Sequence, residues 1–270
     1  MPELPEVETT RAGIEPFLRG RRIERLLVRE RRLRVPVPEE LPEVLAGQRV
    51  QAVGRRGKYL LIEVERGAAI VHLGMSGTLR LYPEAAPAGA HDHLDLMLEG
   101  GIVLRFTDPR RFGCWLWQPQ GTLHPALAAL GPEPFDPVFD GAYLWRRSRG
   151  RIAPIKSLIM DPHIVVGVGN IYAQEALFCA GIRPQRSAGQ ISLARLERLV
   201  AAIRERLSYA IRRGGTTLRD FLAPDGKPGY FEQELFVYGR GGEPCRICGT
   251  TLKAMRIAGR MTAWCPRCQR

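Results

Sequence analysis

Two Cys-x-x-Cys pairs near the end of the chain constrain its fold more than any other feature. Cys245-Arg-Ile-Cys248 and Cys265-Pro-Arg-Cys268 are separated by 16 residues. Each pair sets two thiolates on one tight knuckle, and a hairpin between them brings four sulfurs into a tetrahedral set. Disulfides are the competing reading, but an intracellular chain keeps its cysteines reduced. One Zn2+ is therefore expected on Cys245, Cys248, Cys265 and Cys268. A closed four-thiolate shell leaves no open coordination position, so this ion folds the hairpin and does no chemistry. Cys114 and Cys179 stand alone in apolar runs and read as core.

The hairpin is also where the charge collects. The 270 residues carry a net charge of +12 with pI near 10. Phe236 to Arg270 holds seven Arg or Lys against the single acid Glu243, which is half the excess. A basic surface gains by displacing counterions condensed on phosphates, so a polyanion partner is favoured. Lys253, Arg256 and Arg260 lie between the knuckles, giving a stapled ribbon shaped to reach into a nucleic-acid groove. A merely solvated basic ribbon remains the plain alternative. The chain has four lysines, 36 arginines and one asparagine, Asn170, a bias that suits a thermophile or a GC-rich genome. A lysine kept in such a chain points to a need for an ammonium that can lose its proton.

No run of about 18 apolar residues suggests a membrane span. The start, MPELPEVETT, is acidic and lacks the apolar core of a secretory signal. A cytoplasmic, nucleoid-associated protein is expected. Residues 5–19 read as a helix, with Pro5 in its first turn and Gly20 as its stop. Short β-rich runs follow at 59–65, 68–74, 78–82, 93–98 and 101–107 within a strand-rich stretch from about 22 to 118, suggesting a sandwich or barrel. The Pro-rich stretch 130–137 marks a boundary. Helical text follows at 169–181 and 192–215, where Leu196, Leu199, Val200, Ile203, Leu207 and Ile211 form one apolar stripe that reads as core. These two helices and the turns between them resemble a helix-two-turn-helix module.

The expected fold class is α+β, with an N-terminal β-sandwich with flanking helices and a C-terminal helix-two-turn-helix domain carrying a four-cysteine zinc-finger β-hairpin. The expected domains are 1–133 sandwich, 134–149 linker, 150–233 helical domain and 234–270 zinc-finger hairpin; that the first is catalytic and the second binds DNA, around a DNA-binding cleft, is implied only by the family resemblance that the chain's motifs carry.

If Met1 is removed, Pro2 is left with a free secondary amine. An α-amine titrates at about 7.7–8.0, so much of it is uncharged at neutral pH. By composition alone this is a capped helix start. The rest of the chain changes that reading. MPELPEVET, KYLLIE around Lys58, HLGMSG at 72–77, TDPRRFG at 107–113, VGVGNIYA at 166–173, GGTTLRDFLAPDGKPGYF and the terminal cysteines occur in one order. Together they resemble the bacterial formamidopyrimidine-DNA glycosylase (8-oxoguanine DNA glycosylase) family over essentially the whole length. The related endonuclease VIII branch typically opens with PEGPE, so PELPE and DPRRFG point to the purine-directed branch.

The resemblance implies a bifunctional glycosylase and lyase of base excision repair, acting on double-stranded DNA with oxidised purines, as a monomer. It implies Pro2 as nucleophile at the sugar C1′, Glu3 as general acid, Lys58 as a proton-transfer group that also meets phosphate, and Glu6 as an orienting residue. Arg260 matches the position tied to phosphate contact and δ-elimination. Met75, Arg110 and Phe112 match a wedge that fills the stack vacated by an everted nucleotide. Isolated Met and Phe in a strand-rich domain are usually core, but the flanking glycines and arginines favour exposed loop tips. His72, His91, Arg151, Lys156 and Asn170 are implied as DNA contacts. Thr216 to Tyr230 resembles a loop that closes over the extruded base. Two rivals stand beside this reading, an enzyme for oxidised pyrimidines and a non-catalytic zinc-ribbon DNA-binding protein.

Overall fold

The computed structural model describes residues 2–214 and 235–270. They divide into two compact units, the first within residues 1–128 and the second over 129–212 with the described part of 231–270.

The first unit opens with α1 (Leu4–Leu18), started by a reciprocal capping box between Glu3 and Glu6 with Pro5 in the first turn. That arrangement satisfies helix-end donors that would otherwise face the core. Two antiparallel four-stranded sheets follow. One has the order β2 (Val50–Arg56), β3 (Tyr59–Val64), β4 (Gly67–His72), β8 (Cys114–Pro119); the other has β1 (Ile23–Val28), β6 (Asp92–Leu98), β7 (Ile102–Thr107), β5 (Thr78–Pro83). Alternate residues of β3 are buried, as period-2 side chains on a half-covered sheet require. Leu60, Ile62, Val71, Leu94, Leu104, Phe106 and Trp115 join Ile14 and Leu18 of α1 in a single core. The sandwich expectation holds. A short helix α2 (Leu41–Leu45) rests on β1, and α3 (Pro125–Ala128) ends the unit.

In the second unit, α4 (Gly141–Ser148), α5 (Ile155–Ile159), α6 (Asn170–Cys179) and α7 (Leu193–Arg212) precede a hairpin of β9 (Lys253–Ile257) and β10 (Arg260–Trp264). Residues 141–148, expected within a linker, are helical: Asp140 caps α4 through the Tyr143 amide, and the helix packs on α7. The α7 stripe is buried at Leu196, Leu199, Val200, Ile203 and Leu207, while Ile211 is only partly covered. Cys114 is buried as expected, and burial pushes its thiol up to about 11. Cys179 corrects the expectation. It is exposed, at the last position of α6, between the buried Phe178 and Ala180.

Among the described residues no helix is long and apolar enough to cross a membrane.

Candidate functional site

In the first unit the expected catalytic and wedge residues gather at one end of the sandwich. The register fixes this. Arg56 pairs with Tyr59 across the tight β2–β3 turn that holds Gly57 and Lys58, Tyr59 pairs with His72, and His72 with Cys114. Gly57 has φ +58, a backbone conformation costly for residues with a Cβ, and this sharp reversal places Lys58 at the rim. At this end two short loops cross between the sheets. Residues 73–77 join β4 to β5 and carry Met75; residues 108–113 join β7 to β8 and carry Arg110 and Phe112.

The N-terminus reaches the same rim. Arg55 pairs with Glu8 at 3.0 Å and Arg11 donates to the Val53 carbonyl at 3.3 Å. Moving toward the start of α1 therefore means moving along β2 toward Lys58. Pro2, Glu3 and Glu6 precede Glu8 on the side of Lys58, and all three are buried. Glu6 Oε2 accepts the Glu3 amide at 2.8 Å.

His72 packs against Tyr59 with ring centroids 4.9 Å apart, and its Nδ1 accepts the Gly74 amide at 2.9 Å. Burial, helped by the Lys58 and Arg34 charges, pushes its pKa down to about 4. The ring is neutral at physiological pH and carries its proton on Nε2. Met75 and Phe112 are 39% and 43% exposed, loop tips as expected. The Arg110 guanidinium lies 4.7 Å over the Phe112 ring. His91 is exposed, just before β6. Its loop is held by the buried Arg105, which donates to the carbonyls of Ala86 and Pro87 and pairs with Asp95 at 2.8 Å.

In the second unit a separate polar cluster ties α6 to the hairpin. Lys156 is only 1% exposed. Its ammonium donates to Asn170 Oδ1 and to Thr262 Oγ1, both at 2.6 Å. Asn170 opens α6 and donates to the Met261 carbonyl at 3.3 Å. Gln174, also 1% exposed, donates to the same carbonyl at 3.2 Å and accepts the Ala263 amide at 2.7 Å. Beside these groups a cavity of about 380 Å3 is lined by Asn170, Gln174, Tyr238, Met261 and Thr262. Arg260 is exposed at the start of β10, one residue from Met261, and Arg151 is exposed in the segment before α5. The expected DNA contacts thus divide: Arg151, Arg260 and the rim of Asn170 face outward, while Lys156 is turned into the protein.

The polar groups missed in the sequence are Thr262, Gln174, Tyr238 and Glu175. A signal existed for two of them. Gln174 and Glu175 interrupt an otherwise apolar helix whose residues 171–178 are all buried, and buried polar pairs demand partners. Glu175 accepts the amides of Phe236, Val237 and Tyr238 at 2.8, 2.9 and 2.9 Å. Burial pushes its carboxyl above the usual range, against those three donors and the Arg206 charge. Glu175→Gln can keep an oxygen toward Val237 and Tyr238 but then sets an NH2 against the Phe236 amide. A loss of about 1–3 kcal/mol in thermal unfolding is expected. A variant melting within a degree of the parent rules out this role for Glu175.

The four Sγ atoms of Cys245, Cys248, Cys265 and Cys268 lie within 4.8 Å of one another. The Cys248–Cys265 and Cys245–Cys268 sulfurs are 3.5 and 3.9 Å apart. Tetrahedral Zn–S bonds of about 2.3 Å require sulfurs about 3.8 Å apart, so the residues fit one structural zinc. The Cys268 amide donates to Cys265 Sγ at 3.4 Å, as a knuckle does. The expected closing loop, Thr216 to Tyr230, lies outside the described residues.

A strand sandwich followed in one chain by a helical module and a four-cysteine hairpin defines the helix-two-turn-helix, zinc-finger class of proteins. Three family profiles match in that order: "Formamidopyrimidine-DNA glycosylase N-terminal domain" over residues 1–115, "Formamidopyrimidine-DNA glycosylase H2TH domain" over 130–222 and "Zinc finger found in FPG and IleRS" over 242–270. The chain belongs to the bacterial formamidopyrimidine-DNA glycosylase family. Relatives of that name from Stutzerimonas stutzeri and Stenotrophomonas maltophilia are 62% and 59% identical, with all of both chains covered. A Lactococcus lactis Fpg variant solved with Fapy-dG containing DNA is 35% identical with TM-score 0.93, covering 100% of each chain. The MutM (Fpg) protein from Thermus thermophilus is 40% identical with TM-score 0.89, covering 99% of this chain and 98% of its own.

Proposed function

We propose that the protein is a base-excision-repair enzyme that releases 8-oxoguanine and formamidopyrimidines paired with cytosine in duplex DNA, then cuts the strand. The observation that carries this is the meeting of Pro2, Glu3, Lys58 and both crossing loops at one rim of the sandwich.

With Met1 removed, the Pro2 nitrogen attacks C1′ as the glycosidic bond breaks and the base departs with its electron pair and a proton. An α-amine is partly uncharged at neutral pH, which leaves the nitrogen nucleophilic. Glu3 protonates the ring oxygen, opening the sugar. A secondary amine can only form a cationic iminium, which acidifies the C2′ hydrogens. Loss of one of them expels the 3′ phosphate by β-elimination, and a second elimination releases the 5′ phosphate. Lys58 carries a proton in these steps and meets phosphate, and Glu6 holds Glu3 through its amide. Met75, Arg110 and Phe112 fill the vacated stack, Arg110 meeting the orphaned cytosine. His72, a neutral Nε2–H donor, His91, Arg151, Asn170 and Arg260 contact phosphates, Arg260 by charge alone because a guanidinium stays protonated. Lys156 acts behind Asn170, holding its amide. The protein works as a monomer in the cytoplasm, on nucleoid DNA.

Single-turnover release from 8-oxoguanine and thymine-glycol duplexes tests the substrate class. Release from 8-oxoguanine is expected to be roughly tenfold faster or more. Equal or reversed rates move the chain to the oxidised-pyrimidine reading, and no release from either leaves only a DNA-binding protein.

A further inference from the structure

Asp108 is fully buried, yet it sits between two exposed loop tips and has no role in the steps above. Every oxygen it owns is engaged. Oδ1 accepts the Ser76 hydroxyl at 2.8 Å and the Arg110 amide at 3.3 Å, and Oδ2 accepts the Gly113 amide at 2.8 Å. Its carbonyl accepts His93 Nε2 at 2.8 Å and the Arg111 amide at 3.1 Å, and its own amide donates to the His91 carbonyl at 3.0 Å. The three side-chain bonds land on the neighbour of Met75, on Arg110 itself and on the neighbour of Phe112. One carboxylate therefore ties both crossing loops together at the three points that flank the wedge.

The backbone around it is shaped to the same end. Arg111 has φ +56, a conformation that costs a non-glycine residue about 1 kcal/mol or more and persists only where surrounding bonds impose it. Gly74, at φ +64, lets the loops touch: a Cβ there would stand 2.4 Å from Gly113 N. The Ser76 link crosses from one loop to the other, so it fixes the spacing between Met75 and Phe112, and the two amide links fix the turn that aims Arg110.

We infer that Asp108 is the positioning residue of the wedge, holding Met75, Arg110 and Phe112 in one rigid arrangement that enters the helix as a unit. This rests on the reading of those three residues as the wedge. A rigid wedge has its ordering cost met before DNA arrives, and loosening it by about 1 Å can slow a reaction up to about 100-fold. Asp108→Asn is nearly isosteric but offers one acceptor oxygen in place of two, so it cannot accept from both the Gly113 and the Arg110 amides and sets an NH2 against one of them. Ser76→Ala removes the cross-loop bond alone and spares the fold if the carboxylate is also needed for stability.

The test compares two substrates in single turnover. Excision from an 8-oxoguanine duplex requires eversion; borohydride trapping on a single-stranded abasic oligonucleotide does not. Asp108→Asn is expected to slow the first about 30- to 100-fold and Ser76→Ala about 5-fold, with trapping on the single strand within twofold of the parent. Equal slowing of both reactions by either variant assigns Asp108 a general structural role and overturns the inference. Unchanged duplex excision in Asp108→Asn, while Phe112→Ala and Arg110→Ala slow it, overturns the inference and leaves the wedge standing. If Phe112→Ala and Arg110→Ala also leave duplex excision unchanged, the wedge reading itself fails.

Discussion

A chain that keeps Met1 on Pro2 is expected to yield no borohydride-trapped adduct on 8-oxoguanine duplex, and its nicking rate is expected to fall by about three orders of magnitude or more. The reason lies in the nitrogen. Acylated by Met1, it is a tertiary amide whose lone pair is delocalised into the carbonyl, so it neither attacks C1′ nor forms an iminium. Pro2→Gly is expected to lose most of the adduct for a different reason, because its primary amine gives an imine that is cationic only when protonated and lacks the fixed ring. Duplex affinity in both is expected to stay within a few-fold, since Pro2 is buried and the phosphate contacts lie elsewhere. Mass analysis of the trapped peptide locates the attachment atom. A Met-bearing chain that cuts as fast as the trimmed one ends the mechanism proposed above.

Stripping the zinc is expected to unfold the hairpin and abolish tight DNA binding. The core under the hairpin is small: Phe178, Val237, Leu252 and Ala263 with the sulfurs of Cys245 and Cys265. Six residues cannot offset the ordering entropy of some thirty, whereas a structural zinc contributes about 10–16 kcal/mol. The loss spreads inward. Thr262 receives the buried Lys156 ammonium, so melting β10 removes a hydrogen bond to a charged group, worth about 1.5–3 kcal/mol. Chelation should therefore expose residues near 240–270 to proteolysis and lower the midpoint of the second unit, with the sandwich less affected. Affinity for lesion duplex is expected to drop about 100-fold or more, and added zinc to restore it. A chelated protein with a protease-resistant hairpin and full affinity refutes the structural role of the metal.

Much of the site was legible because its signals are local. The N-terminal helix was expected over 5–19 and runs from Leu4 to Leu18; the long helix was expected over 192–215 and runs from Leu193 to Arg212. In both, the cap, the apolar period and the stop lie in one continuous stretch of chain. The segment 141–148 is expected within a linker because it follows a Pro-rich stretch, and what makes it a helix is the Asp140 cap and packing on α7.

By itself the sequence determined the zinc ligands, whose spacing is a property of a single hairpin, the strand and helix text of the two halves, and the order of motifs that marks the family. Only the tertiary structure decided which polar residues meet across long separations. Lys156 is expected as a DNA contact, yet Thr262, 106 residues away, draws its ammonium inward. Cys179 reads as core but ends its helix on the outside. Asp108 stands in the sequence only as part of the TDPRRFG motif, and becomes the tie between two loops when Ser76, 32 residues earlier, is brought to it by the sandwich. Spacing along a chain encodes contacts within one element; a contact between elements depends on how whole faces pack, and no short stretch of residues carries that information.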